Sequence, residues 1–352
     1  MRTKRLIIVA LAIATLAMAA ACGGGAAERP AEAPAGVPAT VAAANPWVGV
    51  AGIVDAGNHG WPRQVTGLNG MVTIKQQPQR ILTVSLGHDE VTFGLVPASR
   101  VVAVGAFTKN AENSNVAALS AKLPTIGRDP EPIIAQRPDV VIASAFSSKD
   151  LVTALGNVGI AVVQTQLRND HEGRIQDILL MGYIFGEEDR ALALSKEVRG
   201  RYEALRAAAA KKAQSQQPRV MSTAKYSDKL YTAGAESTEG AIIEAAGGFN
   251  VAAEAGLKNN PVITLEGIVK MRPDVIVITQ PADSGEMYKQ ELLSSAALAE
   301  VPAIKSKAIY IVPQNYYTTL SFWNLAGAEH LARVLWPQDY PNKEIAPFSV
   351  PQ

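Results

Sequence analysis

The chain has 352 residues, enough for two domains, with 48% hydrophobic and 18% charged residues. Lys and Arg number 33 against 32 Asp and Glu, leaving a net charge of +1. That balance offers no electrostatic footprint for nucleic acid and no like-charged interaction tail. Alanine-rich apolar content with only 6% aromatics supports two modest cores.

The N-terminus reads as an export signal. Arg2, Lys4 and Arg5 precede the uncharged run Leu6–Ala21, too short to span a bilayer but suited to a signal core. Ala19-Ala20-Ala21 offers small residues for cleavage, and Cys22, the only cysteine, follows. The arrangement resembles a bacterial lipobox, departing from it at Ala19 where leucine is preferred; the resemblance implies lipidation of Cys22, with plain secretion after Ala21 as the alternative. Residues 22–60 are expected to form an Ala/Pro/Gly-rich tether after a signal at 1–21.

A first α/β lobe is expected over 61–186. Gln64–Ile74 alternates around the turn pair Asn69-Gly70. The strands Ile81–Ser85, Val101–Val104, Val140–Ser144 and Ala161–Thr165 alternate with helical patterns, which argues for a mainly parallel sheet. Residues 187–213 then read as one long helix, with Ala191, Leu194, Val198, Tyr202 and Leu205 at helical spacing and acids at its start. A second α/β lobe over 214–352 has strands at Arg219–Thr223, Val275–Thr279 and Ala308–Val312 and a last helix over Phe322–Leu335.

An internal repeat links the halves. Glu131-Pro-Ile-Ile-Ala-Gln-Arg-Pro-Asp-Val-Val-Ile142 lies over Glu266-Gly-Ile-Val-Lys-Met-Arg-Pro-Asp-Val-Ile-Val277. Asp129 with Pro130, and Thr264, sit where helix caps belong, so each half presents one glutamate in the first turn of a short helix. A proline then stops each helix ahead of a buried strand.

Together with Pro78-Gln-Arg-Ile-Leu82, Ala246-Gly247-Gly248-Phe249-Asn250 and Lys307-Ala-Ile-Tyr-Ile311, these units resemble the substrate-binding proteins of bacterial ABC importers for iron chelates and cobalamin, over roughly residues 61–340. The resemblance implies two α/β lobes joined by a rigid helix, a ligand cleft between them, and a permease dimer with its ATPases as partner. It assigns permease docking to Glu131 and Glu266, and a place near the cleft to Asn250. A monomer held outside the cytoplasmic membrane by its lipid anchor is expected, with no cofactor of its own. A ferric siderophore leads as cargo, followed by cobalamin or another corrinoid, then haem.

Ligands of open α/β lobes gather at the carboxyl ends of strands. That rule nominates Ser85, His88, Phe107, Ser144 and Phe146 in the first lobe, and Tyr226, Tyr231, Gln280, Tyr316 and Tyr317 in the second. Arg128, ahead of the first docking helix, is placed to meet an anionic chelate. The histidines at 59, 88, 171 and 330 are scattered, so no bare-metal site is expected; His88 and the tyrosines are the candidates for haem ligation. Two other classes stay in view. Thr83-Val-Ser85-Leu-Gly87 partly matches a hydrolase nucleophile elbow but has β-branched Thr83 where glycine is wanted. A surface interaction module would have no use for the glutamate repeat.

Overall fold

The computed structural model describes residues 45–213, 216–340 and 344–351. The signal, Cys22 and most of the tether lie outside the described residues. The expected tether is too long at its C-terminal end, because the folded unit begins at Asn45 rather than near Trp61. Trp47 and Val50 are buried, Trp47 packs on Tyr183, and the Tyr183 hydroxyl donates to the Asp55 carbonyl at 3.0 Å.

In the first lobe, β1 (Arg63–Gly67) and β2 (Gly70–Ile74) form the expected hairpin. Its two-residue turn is Leu68-Asn69, one position earlier than read. Gly70 opens β2 at φ +97°, a conformation that favours glycine. Asn69 stitches the turn to the main sheet: its Nδ2 donates to the Val162 carbonyl and its Oδ1 accepts from the Gln164 N–H, both at 2.9 Å.

That sheet contains β3 (Ile81–Thr83), β4 (Val101–Gly105), β5 (Thr125–Ile126), β6 (Val140–Ser144) and β7 (Ala161–Thr165), all parallel in the order β5-β4-β3-β6-β7. Helices α1 (Leu86–Leu95), α2 (Ala117–Ser120), α3 (Pro130–Ala135), α4 (Lys149–Asn157) and α5 (His171–Phe185) connect and cover it.

The connecting helix α6 spans Glu188–Ala209, 22 residues or roughly 33 Å. It is shorter than 187–213 because residues 210–212 leave the helix in turns. Ala191, Leu194, Ser195, Val198, Tyr202 and Leu205 form its buried stripe.

The second lobe has β8 (Arg219–Tyr226), β9 (Lys229–Thr232), β10 (Phe249–Asn250), β11 (Val262–Ile263), β12 (Val275–Ile278) and β13 (Ile309–Ile311). Its sheet is mixed: β12 pairs with β8 and β13 in parallel, while β9 runs antiparallel between β8 and β11. Helices α7 (Thr238–Ala245), α8 (Val251–Glu254), α9 (Leu265–Met271), α10 (Ala282–Ser294), α11 (Pro302–Lys305), α12 (Gln314–Tyr317) and α13 (Asn324–Leu335) complete it.

The lobes share one large core, and each adds a smaller cluster of its own. Val91 and Phe93 of α1, Leu194 and Val198 of α6, and Phe322, Leu325 and Leu331 around α13 belong to one continuous buried cluster. Smaller clusters around Leu82 and Val141, and around Met221 and Ile276, complete the separate lobes. Close-packed interiors resist deformation, so the shared core sets the lobes rigidly about α6.

The repeat is explained largely by scaffolding. Arg137 and Arg272 both end their helices in the left-handed region at φ 48°. Asp139 Oδ2 accepts from the Arg80 N–H at 2.9 Å, and Asp274 Oδ2 accepts from the Arg219 N–H at 3.0 Å. In return Arg80 Nε donates to the Arg137 carbonyl at 2.9 Å, and Arg219 Nε to that of Arg272 at 3.4 Å. Each Arg-Pro-Asp thus locks the start of a neighbouring strand. The glutamates take no part in this lock.

Candidate functional site: the cleft between the lobes

The carboxyl ends of the strands place several large side chains in the open. Phe107 follows β4 and is 72% exposed; Phe146 follows β6 and is 80% exposed; Tyr226 ends β8 and is 53% exposed. Large apolar groups left in water at one edge mark a surface built to be covered. Tyr231 lies edge-on to Tyr226 with ring centroids 6.0 Å apart. Arg128 is exposed in the loop after β5, and Ser144 is half-buried with its Oγ 3.4 Å from that of Ser147.

At the carboxyl end of β8 in the second lobe is a hollow of about 360 Å³, lined by Tyr226 and Tyr231 together with Thr223, Thr238, Glu239, Asn260, Thr279, Thr318 and Leu320. Its lining belongs wholly to the second lobe, and one of its residues, Thr238, reaches across to the first. Thr238 Oγ1 donates to Asn169 Oδ1 at 3.1 Å and Asn169 Nδ2 to the Glu236 carbonyl at 2.8 Å. A second hollow of about 320 Å³ lies between Glu112 of the first lobe and Pro281, Gln314 and Asn315 of the second. Asn115 and Asn315 bridge the lobes there, Asn115 Nδ2 donating to the Asn315 carbonyl at 2.7 Å and Asn315 Nδ2 to Asn115 Oδ1 at 2.9 Å. A further hollow of about 650 Å³ lies between β2, α4 and the amino ends of β6 and β7, at the opposite edge of the sheet.

Burial withdraws His88, Asn250 and Tyr317 from ligand contact, whereas Gln280 forms part of the wall of the second hollow. His88 is 1% exposed, with Nδ1 2.6 Å from Ser85 Oγ and Nε2 2.7 Å from Thr165 Oγ1. Burial lowers its pKa to about 4, so the ring stays neutral. Asn250 caps α8, its Oδ1 accepting from the Ala252 N–H at 3.0 Å, and its Nδ2 donates to the Ala233 carbonyl at 3.1 Å. Gln280 spends both ends of its amide on the backbone of Lys225, at 2.9 and 2.7 Å. Tyr317 is fully buried with its hydroxyl 3.0 Å from His330 Nδ1.

Tyr316, half-buried, packs on the shared core. Ser85 caps α1. In its bond to His88 the far ring nitrogen meets the Thr165 hydroxyl rather than the orienting carboxylate of a serine triad.

Sequence reasoning missed Glu239, Thr238 and Asn260. The strand-end rule follows parallel strands, and these residues reach the hollow by way of β9, an antiparallel insertion after β8. The one local signal was Ser237-Thr238-Glu239, a helix start: Ser237 Oγ accepts from the Gly240 N–H at 3.0 Å.

Glu131 and Glu266 are both exposed in the first turns of α3 and α9. Thr264 caps α9 through the Gly267 N–H at 3.3 Å, whereas Asp129 occupies the cap position of α3 without a side-chain cap bond. The Glu266 carboxyl is held below its ordinary pKa by its own backbone N–H and then by the Thr264 hydroxyl. Helix α3 leads back into β6 and α9 into β12, so each helix starts on the carboxyl edge of its sheet. The two carboxylates therefore lie on the same sheet edges as the cleft loops.

Two α/β lobes fixed about a long helix, with a cleft at facing strand ends, define a solute-binding protein. The chain matches the periplasmic binding protein family over residues 81–316 and belongs to it. It is 28% identical over 248 residues to a cobalamin-binding protein of Halobacterium salinarum, a match covering 69% of this chain and 63% of that protein. It is 24% identical over 276 residues to YvrC, an uncharacterised ABC transporter substrate-binding lipoprotein of Bacillus subtilis, covering 77% and 84%. The solved structure of the molybdate-binding protein MolA of Haemophilus influenzae superposes with a TM-score of 0.66 at 22% identity, covering 79% of this chain and 93% of MolA.

Proposed function

We propose that the protein is an exported, lipid-anchored binding subunit that captures a bulky metal chelate and delivers it to an ABC permease. The observation that carries this reading is the placement of Glu131 and Glu266. Both are exposed, both begin a short helix at the cleft edge of their lobe, and a shared core fixes the spacing between them. Charges held at fixed separation steer and orient a partner more than they add affinity. Cys22, at the end of the signal-like run, is the anchor in this reading.

A chelate seats one edge in the hollow at the end of β8 and lays its carbon faces against Phe107 and Phe146, each of which would lose exposed apolar surface on binding. A ferric siderophore is the leading cargo. The Halobacterium relative supports a corrinoid as the second reading.

A thermal-shift screen against ferric siderophores, cyanocobalamin and haemin tests the class, since ligand at 100 times its Kd adds about 2.7 kcal/mol. One chelate should raise the melting temperature, and Phe107→Ala with Phe146→Ala should abolish that rise while leaving the unliganded melt in place. A screen with no shift counts against a chelate cargo.

A further inference from the structure

Glu239 is the single Asp, Glu, Lys or Arg among the residues lining the hollow at the end of β8, and the neighbouring hollow likewise carries one acid, Glu112, and no base. Four basic side chains of the surrounding elements are engaged elsewhere, while Lys229, the register partner of Tyr226, is exposed. Lys225 Nζ pairs with Glu291 at 2.6 Å, Lys258 with Glu236 at 2.6 Å and Arg168 with Asp177 at 2.8 Å. Lys109 donates to the Ala121 carbonyl at 3.3 Å. Glu239 is not required as a cap, because the Ser237 hydroxyl already holds the start of α7. Its carboxylate faces Asn260, whose Nδ2 donates to Oε2 at the long distance of 3.4 Å.

We infer that Glu239 is a charge filter of the cleft: it admits neutral or cationic chelates that present N–H donors and turns away anionic ones. The inference rests on the chelate-binding reading and narrows it. A partly buried carboxylate is poorly solvated, so a cation or a donor gains more beside it than in water, and a second anion is repelled. Burial raises the Glu239 pKa, opposed first by the bond from its own backbone N–H and then by the Asn260 amide. Tyr226 and Tyr231 line the same hollow as the acid, a lining compatible with an uncharged macrocycle or a hydroxamate. The groups that could reverse the filter are Lys229, beside Tyr226, and Arg128, both exposed.

The test is titration calorimetry of the full chain with three probes of different charge: cationic ferrioxamine B, neutral cyanocobalamin and anionic ferric enterobactin. The intact protein should bind the cationic or the neutral probe at least ~10-fold more tightly than the anionic one. Glu239→Gln, which keeps the side-chain shape, should bring the cationic and anionic affinities together. Glu239→Lys should invert their order. Tightest binding of the anionic probe, or an unchanged order in both variants, overturns the inference while leaving chelate binding intact. So does anionic binding that disappears with Arg128→Ala. Binding of none of the three probes overturns the inference together with the reading on which it rests.

Discussion

Ser321 Oγ donates to Glu90 Oε2 over 2.6 Å, joining the loop before α13 to the first helix of the other lobe through two fully buried side chains. Thr319 donates to the same oxygen, and the Asn115 backbone and side chain both donate to Oε1 at 2.8 Å. Burial still raises the Glu90 pKa against all these donors. Removing one donor leaves part of the desolvation cost unmet, so Ser321→Ala should destabilise by about 1–3 kcal/mol. Urea melts measure that loss, and an unchanged midpoint would show that Thr319 and Asn115 suffice.

Adjacent residues of α1 should push stability in opposite directions with pH. Asp89 is buried, and desolvation raises its pKa from 3.8 to about 7 against hydrogen bonds from Thr108 and Thr83. The stability it contributes is complete below about pH 4 and is lost as pH climbs towards 7. His88, lowered from 6.5 to about 4, contributes fully above pH 6.5 and loses that contribution as pH falls towards 4. Across this window the two oppose each other, with Glu90 adding to the Asp89 side. Asp89→Asn should therefore gain stability relative to the parent as pH rises, and His88→Asn should gain as pH falls. Melts across the window that run parallel for parent and variants would refute the assignment.

Two glycines of the helix pair should respond with opposite signs. A Cβ on Gly182 of α5 would fall 2.2 Å from Ala191 Cβ of α6, so Gly182→Ala must separate the helices. Overpacking of this kind costs about 1–3 kcal/mol. Gly200, in the middle of α6, has nothing within 4 Å of an added Cβ. Gly200→Ala should stabilise by roughly 0.5–1 kcal/mol, because alanine loses less backbone freedom in a helix. Thermal melts of the two variants should move in opposite directions.

The parallel strands and α6 were legible because their signals are local. Val140–Ser144 and Ala161–Thr165 are short apolar runs, and the α6 stripe from Ala191 to Leu205 keeps helical spacing. The shared core was not legible, since nothing local in Phe322 or Leu325 says that they pack across the connector rather than within their own lobe. Site residues divided on the same principle. Phe107, Phe146 and Tyr226 follow or end parallel strands and are exposed, whereas His88 and Tyr317 obey the same rule by position yet point inward. Position along a strand fixes the loop; the direction of a side chain depends on tertiary partners such as Thr165 and the Lys225 backbone. Glu239 was hidden because an antiparallel insertion brings it to the cleft.

The most direct measurement is uptake of the bound chelate by the reconstituted permease in vesicles, driven by the parent or by the double variant Glu131→Lys with Glu266→Lys. The account predicts unchanged chelate affinity and a fall in uptake of at least ~10-fold, because two inverted charges disrupt registry with the permease without touching the cleft. Uptake at the parent rate by the double variant, with binding intact, would contradict it.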